Sequence, residues 1–512
     1  MDKTGRDNVN DNLKIIHQNR IFRDQMPFQR LFWVGLRLFL AWFAGMMGSN
    51  LFADGFHAGP LYNNSPLALG LGHRTEVLGP FFYYQQNDTD KTWALVPLFS
   101  DDSDPVTDMR EDDFLYPLLT YERFGSQYRW QLIQLLSFSG GADPDESKAH
   151  RTTFFPFYFK QRSSNPDKNY TAVFPLYGTL KDRLFRDEIF FVMFPIFGES
   201  KKRDIITDNY LYPFFHWRHG DGLHGWQFWP VVGAENKIVT YHTNNWGETE
   251  TNGGYNKYFV LWPIHFWQNN GIGTDNPEKV RADIPFYYLQ RSPKRDTTSV
   301  LWPFFTWIDD REKKYHEWEG PYPFVVIARG EGKTTTRFFP LFGVSHSASY
   351  DSDFYLWPLY KYKEARGEGL DHKRTRVLFY LFQNTSDKNT ETGGEKRRVD
   401  LWPLFVYHKD FSGNHRLQLL APIESFLPDN RGIERNWAPL WSIWRSEKNV
   451  QTDAASQSLL WNLYRHDTSP ANKNFSLLFG IFQYQSTAER KKIRLFFIPV
   501  VSLHAKPPAG GK

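Results

Sequence analysis

Apolar and aromatic residues come in bursts of seven to nine, separated by charged, turn-forming runs, from about residue 70 to residue 505. Most bursts share one frame, apolar–aromatic–Pro–apolar–aromatic, as in Leu301-Trp302-Pro303-Phe304-Phe305, Phe338-Phe339-Pro340-Leu341-Phe342 and Leu356-Trp357-Pro358-Leu359-Tyr360. The central proline recurs eighteen times between Pro80 and Pro499, mostly 17 to 22 residues apart, and an apolar residue always follows it. Four proline-free copies, such as Val377-Leu378-Phe379-Tyr380-Leu381 and Leu459-Leu460-Trp461-Asn462-Leu463, bring the number to 22.

The bursts are rich in Phe, Tyr, Trp, Val and Leu and show no 3.6-residue stripe, so they predict strands. The runs between them, such as Arg162-Ser163-Ser164-Asn165-Pro166-Asp167, carry turn chemistry. A parallel return needs a crossover of about a dozen residues, so strands at this spacing pair antiparallel with their neighbours. The predicted fold class is all-β, an antiparallel up-and-down meander of about 22 strands. Twist accumulates across so wide a sheet, and closure into a large β-barrel is the expected outcome.

With proline at the strand centre both faces of each strand read as apolar, Leu301, Pro303 and Phe305 against Trp302 and Phe304. A water-filled porin alternates apolar and polar instead, so the expected lumen is narrowed, plugged or hydrophobic. Proline cannot donate to a ladder, which predicts a bulge shared by all copies. An aromatic precedes the proline in twelve copies, predicting an aromatic row at constant height whose first role is packing.

Composition narrows the class. The 512 residues are 41% hydrophobic and 18% aromatic, which excludes a disordered chain. Zero cysteines exclude disulfides, thiol catalysis and cysteine-ligated zinc, and suit an exported protein. A net charge of +4 with mixed signs gives no nucleic-acid footprint. The only helical-looking stretch is N-terminal: residues 1–53 read as an extension with an export signal, the apolar run from Leu38 to Gly48 being too short to span a membrane, and Met26 is an alternative start. Residues 54–69 are the expected linker, 70–505 a single repeat-built β domain and 506–512 a disordered tail.

The burst length, the aromatic content and the export signal together resemble Gram-negative outer-membrane β-barrels as a class. The Leu-Trp-Pro-Leu-Phe frames also resemble bacterial tandem-repeat proteins with similar arrays, a likeness that brings no function with it. The resemblance implies location in the cell outer membrane, membrane lipid as partner, and a transport or envelope-structural role without catalysis. The alternative is a soluble periplasmic or secreted scaffold or binding module whose aromatic ladders meet glycans or an envelope protein.

Catalytic chemistry is thin. Arg329-Gly330-Glu331-Gly332-Lys333-Thr334 lacks the first glycine of a phosphate loop, Ile327 standing in its place. Ser345 and His346 have no nucleophile elbow around them. The acidic stretch Asp101, Asp102, Asp104, Asp108, Glu111, Asp112, Asp113 lacks the EF-hand order, and a solvated loop is expected there. His216, His219 and His224 flank a Gly220-Asp221-Gly222 turn and are the candidate metal ligands. His265 and Glu424, polar residues in an otherwise apolar position two after proline, are the candidate ligand-binding residues. No cofactor is expected.

Overall fold

The computed structural model describes residues 57–142, 148–243 and 247–504. The predicted export signal and the tail beyond residue 504 lie outside them. Within them the protein is all-β: 44 strands form one antiparallel sheet, and Thr240–Thr243 pairs with Thr249–Asn252 in a separate hairpin. The first strands, His57–Ala58 and Tyr62–Pro66, fall within the stretch read as linker.

Two expectations are corrected. There are about 46 strands, not 22, and no ladder joins the first strands to the last, Ile498–His504, so the sheet is not a closed barrel. The reason for the doubled count lies in the prolines. All the central prolines but Pro499, the second residue of the last strand, sit in connections between strands instead of at strand centres, so each repeat turns the chain twice. Strand Arg295–Val300 ends just before Leu301-Trp302-Pro303-Phe304, and strand Phe305–Asp310 begins just after it. The peptide bond before proline is cis in fourteen of the eighteen copies, including Trp302-Pro303 and Phe339-Pro340. Phe304 N–H donates to Leu301 O at 2.9 Å, and Leu118 to Leu115 at 2.9 Å. A cis proline at the third position of a turn closed by such a bond is the type VI geometry.

Because proline-centred turns alternate with a second kind of connection, each kind gathers at its own end of the strands. Call the proline end the rim. The far end holds short reversals such as Asp88-Thr89, Gly125-Ser126 and Asp221-Gly222, the last with φ of 46° and 69°. Both angles positive is the type I′ turn that matches hairpin twist. Far-end connections are predominantly polar, with exposed apolar residues at Leu69, Leu71, Val106, Leu184, Phe185, Ile238, Phe411 and Val450.

Once the turns are placed, the strands alternate, and the reading of two apolar faces is overturned. In Asp90–Leu95, Thr92 and Ala94 point to one face, Trp93 and Leu95 to the other. The first face carries small and polar residues: Ser100, Asp113, Ser299, Thr335, Asp400 and Gln483 are all nearly or wholly buried there. They are satisfied across strands, as Ser456 Oγ is by Asp467 at 2.7 Å. The opposite face carries an aromatic row: Tyr177, Phe190, Phe197, Tyr210 and Phe215 follow one another at centroid distances of 5.2 to 6.2 Å.

The aromatics before proline line up as the repeat predicts. Phe174 and Phe194 lie 5.4 Å apart and Phe194 and Tyr212 5.5 Å. They fold back against the rim end of the polar face, where Tyr170, Ala172, Leu180 and Phe191 form an apolar cluster with them.

Candidate functional site

Two places stand out on this scaffold: the rim and the seam where the ends of the sheet meet.

At the rim the residue after proline points outward and is half-exposed. Leu98, Leu176, Leu341 and Leu404 are 53%, 58%, 58% and 58% accessible. The residue before the aromatic behaves the same way in Leu211, Leu301 and Leu356. Such an apolar edge is tolerable only if its backbone is satisfied. Proline removes one N–H, the turn bond uses another, and neighbouring turns bond each other. Tyr212 N–H donates to Pro195 O, Trp262 to Pro230 and Trp357 to Pro340, each at 2.7 Å. The rim is therefore a ladder of turns with apolar side chains outward and few free backbone donors.

The apolar character fades away from the rim. On the aromatic face the strand residue next to the turn is usually apolar, the third is mixed, and the fifth is usually charged or polar. Phe305, Trp307 and Asp309 show the sequence in one strand, Phe342, Val344 and His346 in another.

The seam is built by the longest rim connection, residues 420–443, which holds two short helices, α1 (Arg431–Asn436) and α2 (Ala438–Trp441). Asn430 caps α1 by accepting from Ile433 N–H at 3.0 Å, and Pro439 opens α2. Gly432 is required at its place because a Cβ there would lie 2.4 Å from the Tyr116 ring. Asn430 Nδ2 donates to the Tyr116 hydroxyl at 3.0 Å, and Trp437 Nε1 to Tyr116 O at 2.9 Å.

Arg435 then reaches the polar face of strands more than 300 residues earlier in the chain. Its Nε donates to Ser100 Oγ at 2.9 Å, and its guanidinium pairs with Asp102 at 3.1 Å, Glu111 at 2.8 Å and Asp113. Asn436 Nδ2 adds a bond to Asp113 at 2.7 Å. Three carboxylates around one buried guanidinium raise its proton affinity further. The acidic stretch is thus not a solvated loop. Alternation sends Asp102, Glu111 and Asp113 to Arg435, while Asp101 and Asp112 point to the other face and pair with Arg110 at 2.6 and 3.1 Å.

Burial and the Asp101 carboxylate push Asp112 up to about 8. A carboxyl raised in the fold stabilises it fully below its unfolded value of about 3.9 and loses that contribution as pH rises through the folded value. Asp112→Asn is expected to melt increasingly above the parent between pH 5 and pH 9. A difference in melting temperature that is constant or shrinks over that window contradicts this.

The residues singled out in the sequence do not assemble into one site. His219 and His224 are directly opposed cross-strand partners, whereas His216 projects from the opposite face and lies 2.8 Å from Pro213 O through Nε2. Among the described residues no group of three or more His, Asp, Glu or Cys side chains is arranged to hold a metal ion. His265 sits beside the rim on the aromatic face and bonds Asp283 through Nδ1; bonds from Tyr287 and His265 hold the Asp283 carboxyl below its ordinary range. Glu424 is buried in the long connection, accepting from Gln418 at 2.8 Å and Trp441 Nε1 at 2.9 Å, which makes it a brace of that segment. No protein-family model matches the chain, and no curated protein is detectably similar to it. The weight of a functional reading therefore falls on the rim, which the proline-centred pentapeptide marks but which reads as strand centre in the sequence, and on the seam, which no short motif marks.

Proposed function

We propose that the protein is a non-enzymatic envelope protein of the outer membrane that seats its rim of proline turns in a lipid layer and serves a transport or envelope-structural role. The observation that carries the reading is the segregation of the turns: the half-exposed leucines and phenylalanines of the repeat gather at one end of the strands, on a backbone whose donors are largely used. An apolar edge of this kind suits lipid and is costly in water.

Strand length favours seating over spanning. Half of the strands have six residues, about 20 Å of rise, none of those described exceeds eight, and their far halves are charged, whereas a spanning β-strand needs about 9–11 residues with an apolar outer face. Insertion of the turn and the adjoining strand residue matches the depth of about 5–10 Å typical of interfacial segments. The polar face is left to water or to polar cargo.

Flotation with liposomes tests the reading. The chain without its first 53 residues is expected to float with vesicles in 1 M salt and to resist carbonate extraction. Recovery as a compact, detergent-free monomer in the soluble fraction would instead support the scaffold alternative.

A further inference from the structure

The polar faces of the two ends of the sheet enclose a cleft of about 420 Å³ beside α1. Six arginines line it: Arg74 from the N-terminal end, the exposed Arg431 and the buried Arg435 from α1, and Arg416, Arg445 and Arg465 from the C-terminal end. Most of the lining carboxylates are committed. Glu76 holds Arg74 at 2.8 Å, Asp102 holds Arg435 at 3.1 Å, and Glu434 holds Arg416 at 2.8 Å. Arg465 is engaged by Asp467 at 2.8 Å.

Of the five arginines that are not exposed, Arg445 is the exception. Glu447, on the same face of the same strand, attracts it without a hydrogen bond, while burial, Arg74 and Arg416 push its guanidinium below the ordinary value. A guanidinium does not lose its proton near neutrality, so the misfit persists as positive charge facing the cleft. Two further donors point the same way. Ser442 lines the cleft, is only 7% exposed, and its Oγ has no partner; Arg74 Nη2 is buried without one. Buried donors left open are costly unless a ligand meets them.

We propose that this cleft binds a phosphate monoester or diester group, with Arg445 and Arg74 as planar donors and Ser442 as a hydroxyl donor. Paired guanidinium groups fit tetrahedral phosphate oxygens, and the remaining charge and open donors are those an oxyanion satisfies. Toward the rim the wall turns apolar at Pro80, Pro439, Leu460 and Trp461. A phospholipid can therefore place its headgroup among the arginines and its chains along that wall, and this lipid arm rests on the rim reading; free phosphate meets the same donors without it.

Calorimetric titration of the full chain in neutral detergent tests both arms, with inorganic phosphate, short-chain phosphatidylglycerol and the matching diacylglycerol as probes. Saturable phosphate binding is expected, weakened about tenfold or more by Arg445→Gln, since charged hydrogen bonds contribute about 1.5–3 kcal/mol. Arg445→Lys, which keeps the charge, is expected to fall between the two. Near-UV circular dichroism confirms that each variant is folded. Phosphatidylglycerol that competes with phosphate, while diacylglycerol does not bind, supports the lipid headgroup. Phosphate binding without phosphatidylglycerol binding supports the phosphate site and overturns the lipid arm. No saturable binding of either phosphorylated probe, or equal affinity in a folded Arg445→Gln variant, overturns the proposal. Flotation of Arg445→Gln with vesicles is expected to match the parent, so failure of the cleft and failure of the rim are read separately.

Discussion

Arg435→Ala is expected to cost about 3–5 kcal/mol of folding stability, because it leaves buried carboxylates without their counter-charge. Arg435 is the side chain through which the long connection between strands His415–Leu419 and Trp444–Lys448 grips the N-terminal strands Phe99–Asp104 and Met109–Phe114. Asp113, which it pairs with, is fully shielded from solvent, and Tyr83 donates to the Arg435 carbonyl at 3.1 Å. Removing the cation isolates Asp113 while Asp102 and Glu111 stay close by. Denaturant titration should show the loss, and a partial recovery is expected in the double variant Arg435→Met, Asp113→Leu, where neither charge remains. A loss below about 1 kcal/mol, the range of exposed ion pairs, would mean that the seam is not held in this way.

The second large effect concerns the rim. Changing Leu98, Leu118, Leu176, Leu341, Leu359 and Leu404 together to Glu is expected to move the protein from the vesicle fraction to the soluble fraction. Each leucine is between 41% and 58% exposed, so the fold loses little. In lipid the balance differs. Each change forfeits up to roughly 1.5–3 kcal/mol of apolar burial and adds up to about 2.5–3.5 kcal/mol for a charge carried into the apolar layer. A single Glu is expected to leave flotation intact, because some twenty other turns still insert. Unchanged partition of the sixfold variant, with its strand signal preserved, would remove lipid as the rim's partner.

How much of this was legible in the sequence depends on how far apart the interacting residues stand. The period, the strand class, the antiparallel order and the aligned pre-proline aromatics all follow from local pattern, and the structure bears them out. The strand count does not, because the apolar burst around Pro303 looks like one strand while it is the end of one, a turn, and the start of the next. The signal for the turn was present: an aromatic directly before proline, repeated at a fixed place, is the composition of a cis-proline turn, and proline is a poor occupant of a strand centre. Placing the turn there would also have restored alternation, since Thr297 and Ser299 share one face of Arg295–Val300 while Thr298 and Val300 share the other.

The seam was not legible. Arg435 and Asp113 are 322 positions apart; Asp113 stands out only within an acidic stretch that reads as a solvated loop, and nothing local marks Arg435, whose helix Arg431–Asn436 has fewer than two turns, too few for a periodic stripe. The histidines misled for the opposite reason. His216 and His219 are close in sequence, but an odd separation along a strand sends them to opposite faces. Glu424 was conspicuous as a polar residue in an apolar position, and its partners explain it: Trp441 and Gln418 use its carboxylate to fold the long connection.

Depth-resolved fluorescence quenching tests the central claim most directly. A fluorophore is attached through a single introduced cysteine, at Leu341 on the rim or at Glu331 at the far end of the neighbouring reversal, and the protein is bound to vesicles carrying brominated lipids. Rim seating predicts strong quenching at position 341, deepest for bromines a few carbons below the headgroup, and none at position 331. Equal quenching at both positions, or quenching at neither in vesicle-bound protein, would contradict it.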